Sequence, residues 1–256
     1  MFRMENAMPN VGSLSSGTPV APYLVSIDHV ASPSVLLKID VATGVSKVAC
    51  TLPNEFDSFN YHSSTFSRTG TLFASNHHQK RIDKIDPCSC QVTPLGPTGG
   101  ASIPGLTVNH STGLFGVDVY HDVLVHVDTT TGAATNIGAL GVDFMNSGAT
   151  WSDTLNGDGG LYAINAPTNS LYSINHETGH ATLLTYINGL EFGSVGIEMH
   201  PANDTIYACT NGENAILHAI DPITGTATGI GTGMGHAGDC NNLAAPWLPI
   251  ACLDAL

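Results

Sequence analysis

The sequence predicts an all-β protein, a single five-bladed β-propeller of four-stranded blades closed by a C-terminal inner strand. Three observations carry that expectation. A repeat returns five times, the composition is that of short strands and turns, and a spare inner-strand segment stands at the end of the chain.

The repeat is read from "YLVSIDHVASPSVLLKIDVATGVSKVA" (23–49), "LFASNHHQKRIDKIDPCSCQVTPLG" (72–96) and "LFGVDVYHDVLVHVDTTTGAATNIG" (114–138). It continues in "LYAINAPTNSLYSINHETGHATLL" (161–184) and "IYACTNGENAILHAIDPITGTATGIG" (206–231). Its anchors are Asp40, Asp86, Asp128, Asn175 and Asp221, spaced by 46, 42, 47 and 46 residues. Gly44, Gly132, Gly179 and Gly225 each follow their anchor by four residues, and Cys90 holds that place in the second copy. A period of this length marks stacked or circular arrays. Asp or Asn followed by Gly is turn chemistry.

Each copy holds four short runs of Val, Ile, Thr and Tyr between Gly, Asn, Asp and Pro, the pattern of strands and turns. In the fourth copy the runs are read as "GSVGIEMH", "LYAIN", "SLYSIN" and "ATLLTYI". Four short strands cannot bury both faces alone, whereas five such sheets packed around an axis can. The first copy begins at its second strand, Tyr23–Ile27. The chain ends with "CNNLAAPW" (240–247), equivalent to the inner strands "YHSSTFS", "IPGLTVN", "SGATWSD" and "SVGIEMH". Pairing 240–246 with 23–27 closes the ring and removes an exposed edge. Residues 1–22 read as a flexible arm, 23–248 as the propeller and 249–256 as a tail.

Composition narrows the function. The net charge is −14, and no lysine or arginine follows Lys84. Nucleic acid is disfavoured, because phosphate contacts need cationic side chains. No apolar run is long enough to span a bilayer, and the N-terminus lacks the apolar core of a signal peptide. Low lysine content and Thr/Gly/Asn-rich repeats are associated with export to the cell surface or beyond. Six cysteines, Cys50, Cys88, Cys90, Cys209, Cys240 and Cys252, include no CxxC pair. They are read either as disulfides of undetermined pairing or as free thiols.

The units "LYSINHETGHATLL" and "LHAIDPITGTATGIG" resemble secreted bacterial propeller repeats of the LY-x-ID-x-x-TG-x-x-T-x-IG type, over about residues 23–247. That resemblance implies the fold and leaves activity open, since such repeats serve many roles. The five-bladed glutaminyl cyclases carry an acidic Asn-Glu-Leu-Glu stretch that this chain lacks, so their activity is not carried over.

The repeat phase sends the anchor turns to one face, called bottom. The loops entering inner strands and those between second and third strands go to the other, called top. The top loops hold the candidate ligand or metal residues His62, Asp57, Asp143, Glu191, Asp239, His77, His121 and His236, together with His29 and His78. An acid followed by Phe recurs as Asp143-Phe144 and Glu191-Phe192, which places carboxylates at the channel mouth over buried rings. His62, Asp143, Glu191 and Asp239 are expected to converge there, with His77 and His121 further out. Imidazole with carboxylate suits zinc or copper, a carboxylate ring suits calcium, and His with Asp suits general-base chemistry. His126, His218, Trp151 and Trp247 read as packing residues. The leading expectation is a secreted or surface-associated protein that recognises a neutral small molecule, glycan or protein partner through the top face, leaving open a divalent metal (Ca, Zn or Cu). A hydrolase or lyase at the same mouth, and a structural subunit assembling through propeller rims, are the alternatives.

Overall fold

The computed structural model describes residues 22–53, 60–111, 113–157, 159–212, 215–236 and 238–256. The N-terminal arm up to residue 21 and the loop bearing Asp57 lie outside the described residues.

The local unit is set by one side chain per repeat. Asp40 Oδ1 accepts the N–H groups of Ala42 and Thr43 at 2.8 and 3.0 Å, and Gly44 N–H donates to Asp40 O at 2.8 Å. Asp86, Asp128, Asn175 and Asp221 do the same for their own turns. The residue four places on is left-handed, with φ 70° at Gly44 and 75° at Gly132. Glycine is needed there for space as well. A Cβ on Gly132 would lie 2.5 Å from Gly96 O, and Gly44, Gly179 and Gly225 abut backbone of the preceding blade in the same way. Cys90 takes this slot at φ 57° and is bonded to Cys50 of the preceding blade. One seam is thus closed covalently where the others close by backbone approach.

The turns join antiparallel meanders. Blade 1 holds β1 (Tyr23–Asp28), β2 (Val35–Asp40) and β3 (Ser46–Thr51), and blade 2 holds β4 (Tyr61–Phe66), β5 (Leu72–Asn76), β6 (Arg81–Ile85) and β7 (Val92–Pro97). Blade 3 is β8 (Gly105–Val108), β9 (Leu114–Asp118), β10 (Val123–Val127) and β11 (Ala134–Ala139). Blade 4 is β12 (Gly148–Ser152), β13 (Gly160–Asn165), β14 (Ser170–Ile174) and β15 (Ala181–Tyr186). Blade 5 is β16 (Gly196–His200), β17 (Thr205–Cys209), β18 (Leu217–Ile220) and β19 (Ala227–Ile230). The run "GSVGIEMH" therefore opens blade 5. The inner strand of blade 4 is β12, whose Trp151 lies opposite Leu161.

Blade 1 takes its fourth strand from the C-terminal segment. Val25 and Ala244 exchange both backbone hydrogen bonds, at 2.8 and 2.9 Å. Asn242 extends the pairing with its side chain, accepting Ile27 N–H at 2.7 Å and donating to Ile27 O and Tyr61 O. The result is a five-bladed propeller of four-stranded blades with almost no helix; α1 (Ala251–Asp254) is a single turn. No helix among the described residues is long and apolar enough to cross a membrane.

The core consists of five apolar clusters, one in each seam between blades. Leu161 and Ala163 face blade 3, whereas Tyr162 and Ile164 of the same strand face blade 5. A strand buried on both sides reads as a continuous apolar run rather than an alternating one. The outer strands β3, β7 and β11 lie at the rim with exposed positions throughout. All six cysteines are paired, as Cys50–Cys90, Cys88–Cys252 and Cys209–Cys240. This excludes the free-thiol alternative. Two of the bridges hold the C-terminal segment, one at the closing strand and one at α1, where Leu253 is buried in the seam between blades 1 and 2.

Candidate functional site

The top loops have their own repeating polar device, at the end of the second strand. Asp28 Oδ1 accepts Val30 and Ala31 N–H, Asn76 Oδ1 accepts Gln79 N–H, and Asp118 Oδ1 accepts Ser102 and Tyr120 N–H. Asn165 Oδ1 accepts Met145 N–H. A second latch sits just before the third strand, where Asp122 and Asn169 accept Phe144 and Phe192 N–H at 2.8 and 3.2 Å. These latches bury Phe144 and Phe192 under exposed Asp143 and Glu191. The recurrent acid-Phe pattern is thus tied to backbone fastening. Neither carboxylate hydrogen-bonds or ion-pairs with a histidine among the described residues.

The histidines gather instead over blades 1 to 3. His62 and His77 stack with ring centres 4.4 Å apart and planes 3° from parallel. His29 lies 6.2 Å from His62, and Tyr120 meets His77 edge-on at 6.3 Å. Together they make a ladder of four rings. His77 is therefore part of the group rather than an outer contact. Its Nδ1 is 3.0 Å from Ser102 Oγ. His121 is exposed and paired with Asp118 at 2.6 Å.

Burial keeps the gathered imidazoles uncharged. Desolvation pulls His62 down to about 4, and neighbouring His77 and His29 add to the shift. His77 is lowered by desolvation and then by Lys80 and His78. His29 and His236 are lowered chiefly by desolvation, against the opposing pull of Asp28 and Asp239. A neutral imidazole has one donor nitrogen and one bare lone pair.

His236 lies beside the ladder, with Nε2 3.0 Å from Ser26 Oγ and Nδ1 3.8 Å from Asp28 Oδ2. The order Ser, His, Asp is that of a nucleophile relay, but the hydrogen bonds run differently. Ser26 Oγ donates to Asn242 O at 2.7 Å, so it accepts from His236 Nε2–H. Ser26 is fully buried. The arrangement positions the imidazole and does not activate the hydroxyl.

Buried polar atoms are paired in native proteins with few exceptions, and each exception calls for a cause. Among the described residues seven buried side-chain atoms have no hydrogen-bond partner: Tyr23 Oη and Asp254 Oδ1, which interact with each other, and His29 Nδ1, His236 Nδ1, Asn60 Oδ1, Asn76 Nδ2 and Ser147 Oγ. The last five of these belong to top loops or to the top ends of strands. Among the described residues no three His, Cys, Asp or Glu side chains already converge as a metal cage.

Sequence reasoning reached the histidine-bearing loops and missed Asp28, Asn60, Asn76 and Ser147. The signal was available for Asp28 and Asn76, since Asp or Asn recurs at the end of the second strand in four blades. His218 is half-buried, with Nδ1 against Ile216 O, and Trp151 is buried. His126 is exposed, although it lies opposite Phe115 on the same face of blade 3 and meets that ring edge-on. Trp247 is half-buried under the Arg68 guanidinium, which grips Asp153 with two hydrogen bonds of 2.8 Å.

Several solved structures share the architecture. A structural-genomics protein of unknown function from Bacteroides thetaiotaomicron VPI-5482 aligns at 13% identity over 90% of this chain and 63% of its own, with TM-score 0.58. The nidogen/laminin complex aligns at 15% identity over 84% and 77%, with TM-score 0.55. Myxococcus xanthus glutaminyl cyclase aligns at 17% over 76% and 74%, with TM-score 0.51. The chain spans less than two thirds of the Bacteroides protein, and 49% of a matching Kuenenia stuttgartiensis hydrazine synthase chain. At such identities these likenesses show the fold alone. Comparison with curated proteins gives no match. The family model described as "Repeat of unknown function (DUF6923)" matches residues 18–186, more than half of the chain, and the protein belongs to that repeat family.

Proposed function

We propose that this is a secreted or surface-associated binding protein whose top face takes a neutral ligand with a flat polar face, such as a glycan. The observation that carries the reading is the coincidence of the ring ladder His29–His62–His77–Tyr120 with the unpartnered buried polar atoms around it. Ligand pockets combine apolar or aromatic surface with a few placed polar groups. A sugar ring offers C–H faces to stack on imidazole and hydroxyls to donate to bare nitrogen lone pairs.

The charge on both sides favours a neutral partner. The gathered imidazoles are uncharged near neutral pH, and the chain carries a net charge of −14. Nucleic acid is a poor partner for such a surface. Three disulfides suit an oxidising compartment outside the cytosol,.

The test is a neutral-glycan array read against EDTA-treated wild type, followed by saturation-transfer NMR on any hit. His62→Ala and His77→Ala should each weaken binding at least about tenfold, in line with loss of one stacking contact. Bottom-face His110→Ala should leave it unchanged. No hit among neutral glycans, or equal losses from His110→Ala, overturns the reading.

A further inference from the structure

The ring ladder of the top face rests on contacts that suit uncharged imidazoles. His62 and His77 lie with ring centres 4.4 Å apart and planes 3° from parallel. Two neutral rings stack well at that distance, whereas two imidazolium rings face to face repel. His29 stands 6.2 Å from His62, and Tyr120 meets His77 edge-on at 6.3 Å. All three imidazoles are half-buried, so protons from solvent reach them.

The charged groups around the ladder do not offset a proton on its two stacked rings. His62 faces His77 on one side and His29 on the other. His77 has Lys80 and His78 beside it, and both act against a further positive charge. Lys80 Nζ lies 4.7 Å from the centre of the Tyr120 ring, which puts a fixed positive charge at that end of the ladder. On the blade 3 side Asp118 is engaged by His121 at 2.6 Å. Asp28 and Asp239 act on His29 and His236, at the opposite end. Among the described residues neither His62 nor His77 forms an ion pair with a carboxylate.

The remaining contact of His77 leaves it free to take up a proton. Its Nδ1 is 3.0 Å from Ser102 Oγ. A hydroxyl donates to a bare imidazole nitrogen and accepts from a protonated one, so this bond persists in either state. The added charge is therefore felt at the stacked face.

We propose that the His29–His62–His77 ladder opens on acidification: the rings stack and take ligand near neutral pH, and they part and release it as they charge. What is released rests on the glycan reading, whereas the opening rests on the rings alone. Burial holds all three imidazoles below the ordinary 6.5, and His62 at about 4. The ladder is thus neutral above pH 6.5 and charges as pH falls toward 4. An imidazolium has two donors and no lone pair for a ligand hydroxyl. A ligand that prefers the neutral, stacked state loses affinity as protons favour the other, and clustered histidines act as pH sensors in this way.

The experiment titrates ligand-free protein with 13C-labelled histidine rings by NMR from pH 7.5 to 4.5, with circular dichroism on the same samples. An NOE between the His62 and His77 rings is expected at pH 7.5. It should vanish within the window while the dichroism stays native. Lys80→Met removes a neighbouring positive charge and should move the loss to higher pH. His77→Phe keeps a flat ring without a titrating nitrogen and should hold the His62 signals constant to lower pH. Bottom-face His110→Ala should behave like wild type. A ring contact that persists to pH 4.5, or that ends only when the fold melts, overturns the proposal. If His77→Phe fails to fold, Lys80→Met carries the decision, and an unmoved midpoint overturns it. A neutral glycan that binds at pH 7.5 should bind at least about tenfold more weakly at pH 4.5, and a constant affinity also overturns the proposal. An opening ladder with no glycan bound at pH 7.5 would remove the glycan reading and still support the opening.

Discussion

The bottom and top faces of this propeller are built from the same kinds of residue and end in opposite states. On the bottom face each anchor spends its side-chain oxygen on two backbone N–H groups of its own turn. On the top face Asp and Asn also fasten loops, yet five buried polar atoms remain unpartnered and four rings line up beside them. Saturated polar groups answer to the fold. Unsaturated buried ones cost stability, and five of the seven among the described residues lie on the top face, where the proposed ligand would meet them.

The sharpest way to break this comparison uses two glycines with the same backbone angle. Gly132 on the bottom and Gly99 on the top both have φ 75°, but only Gly132 is pressed against a neighbouring blade. Gly99→Ala should cost about 1 kcal/mol, the strain of a left-handed non-glycine residue. Gly132→Ala should cost about 3 kcal/mol or more, because the added Cβ must push Gly96 O away. Urea melts of the two variants measure both. Equal costs would mean that the bottom seams are not held by close backbone approach.

Next in size is the acid response of the top face. His62 is held at about 4 against an ordinary 6.5, so the unfolded chain takes up a proton below pH 6.5 that the folded protein refuses. Its contribution is complete above pH 6.5 and is lost as pH falls toward 4, by about 3 kcal/mol at most. Wild type should lose stability over that window, and His62→Ala should show a shallower slope. Glu198, fully buried on the inner strand of blade 5, works in the other direction. Burial raises its carboxyl, so its contribution is present below the ordinary 4.5 and declines as pH rises above it. Glu198→Gln should therefore stabilise the protein at pH 7 to 8 and flatten the alkaline side of the profile. An unchanged profile in both variants would remove the electrostatic part of the comparison.

The smallest expected effect concerns a single anchor. Asn175→Ala removes an acceptor for Glu177 and Thr178 N–H and should cost about 1 kcal/mol, as loss of a side-chain cap does,. Glycan binding should be untouched, since the turn is on the opposite face. A binding defect in that variant would show that the faces are coupled.

The repeat made the fold legible because it writes the same turn five times. Asp40, Asp86, Asp128, Asn175 and Asp221 declare the bottom face, and the mismatch at Cys90 marks the seam that a disulfide closes. The closing strand was also legible, as an inner-strand match with no later strands to follow it. The division of the fourth blade was read one inner strand too late, because a propeller's inner strands resemble each other more than they resemble their own blades. In the site, the histidine loops could be located from repeat phase. Which histidines meet could not, since loop length and side-chain rotamer decide whether His77 stacks on His62 or stands apart.

By itself the sequence determined the blade number, the handover from chain end to chain start, the two faces and the absence of cationic residues beyond Lys84. Those properties are local or periodic, and one-dimensional spacing carries them. Only the tertiary structure decided which cysteines pair, that Asp143 and Glu191 make no hydrogen bond or ion pair with a histidine among the described residues, and that His236 Nδ1 faces Asp28 Oδ2 at 3.8 Å. The bridges join residues 40, 164 and 31 positions apart, and His236 meets Asp28 from the other end of the chain. No spacing along the chain encodes such a distance, because ring closure sets it once all five blades have packed.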